Sequence, residues 1–535
     1  MVRANCVIAG TAATVLTLGL TWSPSVAADN SIGEVDFQAS CEGSAQADFD
    51  HALGLMHHMM YVQARAAFED IIETDPDCAV AYWGVATTLF QPLWGTRPSA
   101  EDLERGWRNI EQARERVDTD REEHLIEATA AFFREPEAAD FATRIHRWVE
   151  GMEGSYNAYP DHPDIAALYS LSRLTLAQRV EDRDALFDEA EAVLRDIYEA
   201  SPTHPGAIHY SIHATDVDGR AENALDMVED YAKIAPEVPH ALHMPSHIYV
   251  RLGDWPEVIE WNRHSSEAAL EHQANGAISH HYIHAVDYLA YAHLQRGEDE
   301  MAEAVVEDAL AKEPHQPTFV SAFHAASMPA RLAVERRDWE RARELEVRSP
   351  DYLPWDESPW AEGLTWYARG LGAAHTGELD AANEAEQHLK ALRDSAKAAG
   401  DDSMAAYIEI DRLVLSGRIA FEQGESDRAV ELTRAAAELE ATTEKHPVTP
   451  GALLPPYEAL GALFMDLDRP PEALEAYEAS DSIWPRRYNT LMGAAQAAKA
   501  VGDAEAAGNY AKSLLAIAGE STRDAVREAR EFAGE

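Results

Sequence analysis

The chain has 535 residues and a net charge of −51, from 95 Asp and Glu against 44 Lys and Arg, and 46% of it is apolar. That length and apolar share support a sizeable core, as several domains or one long repeat array. The charge argues against nucleic acid as a partner, because the phosphate backbone would be repelled, and against attraction to an anionic membrane surface.

Residues 1–28 read as an export signal. Arg3 supplies a positive start, the run VIAGTAATVLTLGL is apolar, and small residues precede Asp29. The apolar run is too short for a membrane span, and no later stretch offers one in the mature chain. The expectation is a periplasmic or secreted protein. Residues 29–44 form an N-terminal segment that carries Cys41. Beyond the signal, Cys41 and Cys78 are the only cysteines. In an oxidising compartment they are a candidate disulfide; two buried thiols are the alternative.

From residue 45 the apolar residues recur at spacings of three and four, giving paired amphipathic helices. In residues 45–78, Tyr61 lies near the break between two helices, Ala64 and Phe68 pack the second, and DPDC ends it. The run MHHMM, Met56–Met60, offers soft ligands that would suit copper, but reads as core packing at helical spacing. Spacing is loose between residues 95 and 160. Helix ends then fall at Pro202 and Pro236, 34 residues apart. RLGDWPEVIEWN, QRGEDEMAEAVVEDAL, ERRDWERARELE and HTGELDAANEAEQHL follow, each a tight turn leading into a helix. Residues 441–456 break the phase as a loop, and 457–535 hold the last repeats.

This pattern resembles the tetratricopeptide repeat family, a helix-turn-helix unit with a small residue opening the second helix and proline closing it. The chain also resembles a group of exported bacterial tetratricopeptide proteins, through DPDCAVAYWG and PHALHMPSHI. The resemblance implies an all-α, right-handed α-solenoid of antiparallel helix pairs over residues 45–440. It also implies a concave face, lined by the first helix of each pair, where ligands bind.

Fourteen of the 23 histidines fall between residues 204 and 324. Counted back from the turn at Gly219, His213 lies six residues away and His209 ten. From Gly253, His247, His243 and His240 lie at six, ten and thirteen. From Gly297, Asp287 lies at ten and His284 at thirteen, with His280 a turn further back; from Arg337, His324 lies at thirteen. Offsets of three and four share one helix face. The expected stripe is therefore His209, His213 and Asp216, then His240, His243 and His247, then His280, His284 and Asp287, with His324 beyond.

Neutral imidazoles on adjacent helices ~10 Å apart can share a coordination sphere, and the aspartates could ligate directly or orient an imidazole. The set suits copper, zinc, iron or nickel. One expectation is a transition-metal protein, with a metal-dependent activity in which Asp216 or Asp287 serves as acid or base and Tyr210, Tyr282 or Tyr291 contributes a phenol. The groove would take a small molecule or a peptide. The alternative is a protein- or peptide-binding scaffold whose histidines are structural. His264, His272, His293 and His446 read as isolated. Tyr82, Trp83, Trp94, Trp366 and Tyr367 read as repeat core, with Trp83 and Tyr367 also candidates to line the groove.

Overall fold

The computed structural model describes residues 32–534 except 44, 95–96, 136–138, 181 and 218. The expected signal at 1–28 lies outside the described residues. Among these residues there are 26 α-helices, two short 3-10 turns and no strand. Among the described residues, no helix is long and apolar enough to cross a membrane.

The architecture is an α-solenoid of antiparallel helix pairs. Ala45–His57 packs on Tyr61–Thr74, and Pro205–Thr215 is followed by Leu225–Ile234. His280–Gln295 packs on Asp299–Ala311, and Pro359–His375 on Leu379–Ala398. The loosely spaced stretch from 95 to 160 holds Ala100–Arg116, Asp120–Phe133 and Phe141–Ala158. Local chemistry sets the boundaries. Proline opens several first helices, where its missing N–H costs nothing: Pro205, Pro239, Pro359 and Pro456 are all first residues of helices. Gly253 closes its helix in the left-handed region at φ 64°. Arg337 takes the same conformation at φ 56°, which marks it as the equivalent turn residue despite its side chain.

Cys41 and Cys78 form a disulfide that ties the entering segment to the start of the helix Ala79–Thr87. Met56, Met59 and Met60 are buried core residues.

Two contacts close the solenoid on itself. Residues 442–455, between Ser426–Ala441 and Pro456–Asp466, cross the interior instead of skirting it. Lys445 pairs with Asp216 at 2.9 Å, Tyr288 donates to the Pro447 carbonyl at 2.9 Å, and Arg331 donates to the Gly451 carbonyl at 3.1 Å. The last repeats dock back on the middle ones. Arg487 reaches Glu335 at 2.5 Å, the Tyr291 hydroxyl at 2.8 Å and Glu458 at 3.1 Å, all buried. Trp255 donates to the Arg486 carbonyl at 2.9 Å.

The consequence is visible in His280–Gln295, where all sixteen residues are buried. A helix apolar or buried all round belongs to an interior, not to one wall of an open groove. The histidine stripe therefore faces an enclosed interior and not an exposed concave surface.

Candidate metal centre

Four helical stretches carry the histidines: α1 (Pro205–Thr215), α2 (Pro239–His243), which runs through Met244 into α3 (Pro245–Leu252), then α4 (His280–Gln295) and α5 (Phe319–Glu335). Their rings meet across helices, not along them. His243 lies 4.2 Å from His284, ring centre to ring centre; His209 lies 4.9 Å from His240; and His284 lies 4.8 Å from His324.

Two groups of three emerge in which one ring nitrogen from each residue lies within 4.8 Å of the others: His243, His247 and His284, and separately His209, His213 and His240. The expected sets, one per helix, are thus redistributed between neighbours.

Hydrogen-bond partners fix the protons in the first group. Asn262 Nδ2 donates to the Val258 carbonyl at 2.7 Å, which turns its Oδ1 toward His243. His243 Nδ1 donates to that oxygen at 2.6 Å. His247 Nδ1 donates to Asp216 at 2.9 Å. On α5, His324 Nδ1 donates to Asp287 at 2.9 Å, so its Nε2 accepts from His284 Nδ1 at 2.7 Å. Each of the three imidazoles therefore keeps its proton on Nδ1 and leaves an Nε2 lone pair free.

The Nε2 atoms of His243 and His247 are 2.9 Å apart. Two lone pairs at that separation repel unless a cation, a proton or a metal ion, lies between them. Imidazole nitrogens sharing one ion at ~2.0–2.1 Å each sit roughly 3 Å apart.

The electrostatics keep these rings neutral. Burial, then the adjacent imidazoles, holds His243 and His284 well below the usual histidine range. Burial also lowers His247. Burial alone would raise the Asp216 carboxyl, but Lys445 and Arg251 beside it hold it well below the usual range. Asp287 is likewise held down, against its burial, by Arg331 and His324.

Asp216 and Asp287, expected in the stripe, thus lie behind imidazoles, and their oxygens are taken by cations and ring N–H groups. Asp216 meets Arg251 at 2.8 Å and Lys445 at 2.9 Å; Asp287 meets Arg331 at 3.0 Å. His324 is one step removed from the group, as the link between Asp287 and His284. His280 is in neither group: its Nδ1 is 3.3 Å from Thr318 Oγ1 and its ring packs on Trp94.

The second group is defined by unpartnered atoms. His209 Nδ1 donates to the His57 carbonyl at 2.5 Å, which leaves its Nε2 as a lone pair. That atom, His213 Nε2, both nitrogens of His240 and His281 Nδ1 are buried without a hydrogen-bond partner. Each such buried atom costs about 1–3 kcal/mol when it stays unsatisfied.

A third cluster, His57, Asp164 and His204, has the spacing of a metal site but not its protonation. His204 Nδ1 accepts from the Ala207 N–H at 3.1 Å, so its Nε2–H points at Asp164, 3.2 Å away. Tyr210 donates to His57 Nδ1 at 3.2 Å, so His57 Nε2–H also points at Asp164, at 2.9 Å. Protons occupy the directions a metal would need at Asp164 Oδ1, so the cluster is a hydrogen-bond network in which Asp164 Oδ2 is left without a partner. Cys41, Cys78 and Asp75 also lie together, but the sulfurs are bonded to each other.

The remaining candidates sit elsewhere. Tyr282 donates to Asp308 and Tyr291 accepts from Arg487. Trp83 and Tyr367 are buried in the core. The residues that sequence reasoning passed over are Asn262, Tyr288 and His281, and Trp94, read from sequence as repeat core, packs on the histidines. Tyr288 sets its ring 4.6 Å from His243. Trp94 lies against His240, His280, His281 and His284, with ring centres 5.0–5.8 Å away.

A cavity of about 1180 Å³ reaches His213 and Asp216, and Trp94, Arg97, Arg179, Asp401, Lys445 and His446 are among the residues that line it. His243, His247 and His284 do not line it.

No protein-family model matches the chain, and no curated protein matches it. Among solved structures the chain is similar to one titled as the APC/C hetero-tetramer Cut9-Hcn1, at 13% identity over 92% of this chain and 97% of that one, with a TM-score of 0.29. It is also similar to yeast Tom70, at 12% identity over 92% and 96% of the two chains, with a TM-score of 0.33. Scores this low carry no argument; the solenoid assignment rests on the helix pairs themselves.

Proposed function

We propose that this protein is an extracytoplasmic, tetratricopeptide-like transition-metal protein whose ion is held by His243, His247 and His284. The observation that carries the reading is the 2.9 Å approach of two Nε2 lone pairs whose Nδ1 protons are both committed to acceptors. A proton could bridge the pair, but burial disfavours protonation of either ring. A transition metal meets the same need without protonating a buried imidazole. Neutral nitrogen ligands suit zinc, copper, iron or nickel.

The supports behind the three rings favour a resident ion. Asn262, Asp216 and the Asp287–His324 link each orient one ligand, which is how proteins raise the basicity of metal-bound imidazoles. An extracytoplasmic location draws support from the Cys41–Cys78 bridge. Against a peptide-binding scaffold in this region stands the loop 442–455, which already occupies the interior between the histidine helices and the later repeats.

X-ray absorption at the metal edge, on the untagged chain, tests the reading. Imidazole scattering from about three nitrogens at ~2.0–2.1 Å is expected. Scattering from oxygen ligands alone would reject the site. A reduced signal in His247→Ala and a full one in His57→Ala would distinguish this centre from the hydrogen-bonded cluster of His57, Asp164 and His204 nearby.

A further inference from the structure

The unpartnered nitrogens of the second histidine group are not used by the ion at His243, His247 and His284, and no residue is shared between the two groups. Five ring nitrogens without partners, on His209, His213, His240 and His281, gather at one place in a buried interior. Three neighbouring histidines have partners: His58 bonds Tyr231 and the Ile32 carbonyl, and His57 and His204 bond Asp164, while His162 and His315 each leave a single Nδ1 unpartnered. Buried polar groups without partners are rare, and a cluster of them calls for a missing partner.

The chemistry of the cluster selects a cation. His209 presents a lone pair because its proton is spent on the His57 carbonyl. His209 and His213 stand four residues apart on α1, with ring centres 5.0 Å apart. His240 brings its ring to 4.9 Å from His209, and His281 brings its own to 5.0 Å from His240. The five unpartnered atoms of this cluster are all imidazole nitrogens, with no carboxylate oxygen among them. A set of three or four neutral imidazoles suits a transition metal rather than calcium or magnesium.

Access separates the two groups. His213 is partly exposed and lines the cavity of about 1180 Å³, whereas none of His243, His247 and His284 lines it. Closed metal sites are structural, while sites with an open coordination position exchange ligands with their surroundings.

We propose that His209, His213 and His240 hold a second transition-metal ion, distinct from the first, whose open coordination position faces the cavity and takes a small ligand with a lone pair, such as water, hydroxide or a small anion. His281 is placed to complete or support the set. The first ion is enclosed and the second is reached from the cavity.

Cobalt(II) is the probe, because its visible spectrum reports ligand changes. Equilibrium dialysis of the untagged full chain is expected to give two equivalents of cobalt bound. His213→Ala and His240→Ala are each expected to give one, and so is His243→Ala. Azide is then added to each. It should shift the cobalt spectrum of His243→Ala, which keeps only the cavity-facing ion, and leave that of His240→Ala unchanged.

The two readings fail separately. Unchanged cobalt binding in His213→Ala and His240→Ala, with one equivalent lost in His243→Ala, overturns the second site and leaves the first. The converse leaves the second and overturns the first. An azide response confined to the His240→Ala protein overturns the assignment of the open position. Circular dichroism checks that each variant is folded. Should His240→Ala not fold, anomalous scattering from cobalt-loaded crystals of the unsubstituted chain decides: one peak overturns the proposal and two support it.

Discussion

His243 and His247 face each other through Nε2 atoms 2.9 Å apart, while Asn262 and Asp216 hold their opposite nitrogens at 2.6 and 2.9 Å. Both rings are thereby turned so that their lone pairs converge. The convergence is built from separate stretches: the continuous α2–α3 run supplies the imidazoles, the following helix Trp255–Glu271 supplies Asn262, and the residue that caps α1 supplies Asp216.

Asn262 is the residue in that arrangement most open to a clean test. Asn262→Leu keeps the bulk and removes the acceptor for His243 Nδ1. Metal affinity should fall about 10–100-fold, as for other groups that orient a bound imidazole. Competition against a chromophoric chelator measures this. Unchanged affinity would show that His243 does not need its proton held.

Metal removal should cost stability. An ion at about 100 times its Kd adds about 2.7 kcal/mol to the folded state if the unfolded chain does not bind it. Dialysis against a chelator should therefore lower the urea midpoint, and re-addition of the ion should restore it. A midpoint indifferent to metal would count against a resident ion.

The metal-free chain should lose stability in mild acid. Burial holds His58 and His280 down at about 3, against ~6.5 in an unfolded chain. Below about 6.5 the unfolded chain takes up these protons and the folded chain does not, so stability falls as pH drops from ~6.5 toward 3. Each group contributes a slope of up to ~1.4 kcal/mol per pH unit. Urea denaturation at several pH values gives the slope, which His58→Gln should reduce. A flat profile between about pH 7 and 5 would contradict the burial of these rings.

Much of this was legible in sequence, for identifiable reasons. Helix pairs show in the apolar period, and the shared stripe shows when histidines are counted back from turns such as Gly253 and Arg337. Which rings meet across helices was not legible, because spacing along one helix says nothing about its neighbour's rotation. His281 illustrates a signal that was present. His240, His243 and His247 are spaced zero, three and seven, and so are His281, His284 and Tyr288; reading the pair as His280 and His284 lost that match. Asn262 and Lys445 had no comparable signal, since one comes from the second helix of a pair and the other from a loop 229 residues beyond Asp216. The closure of the groove depends on Arg487, whose partner Glu335 is 152 residues away.

That closure yields its own test. Arg487 is fully buried against Glu335 and Glu458. Arg487→Met leaves both carboxylates without their cation, and removing one partner from a buried ionic group costs about 3–5 kcal/mol. Hydrogen exchange should show the last repeats, 488–534, opening ahead of the rest. Protection unchanged from the unsubstituted chain would mean that docking rests on apolar contacts alone.

The disulfide closes a loop between positions 37 residues apart. Cys41→Ser with Cys78→Ser should destabilise the chain by about 3–4 kcal/mol through the greater freedom of the unfolded state. Urea denaturation measures it, and a change below about 1 kcal/mol would show that native contacts alone hold the entering segment.

Elemental analysis of the purified, untagged chain goes most directly to the histidine centre. At least one equivalent of a single transition metal per chain is expected, reduced in His247→Ala and retained in His57→Ala. Less than about a tenth of an equivalent of any transition metal, with no uptake on reconstitution, would contradict a metal at His243, His247 and His284.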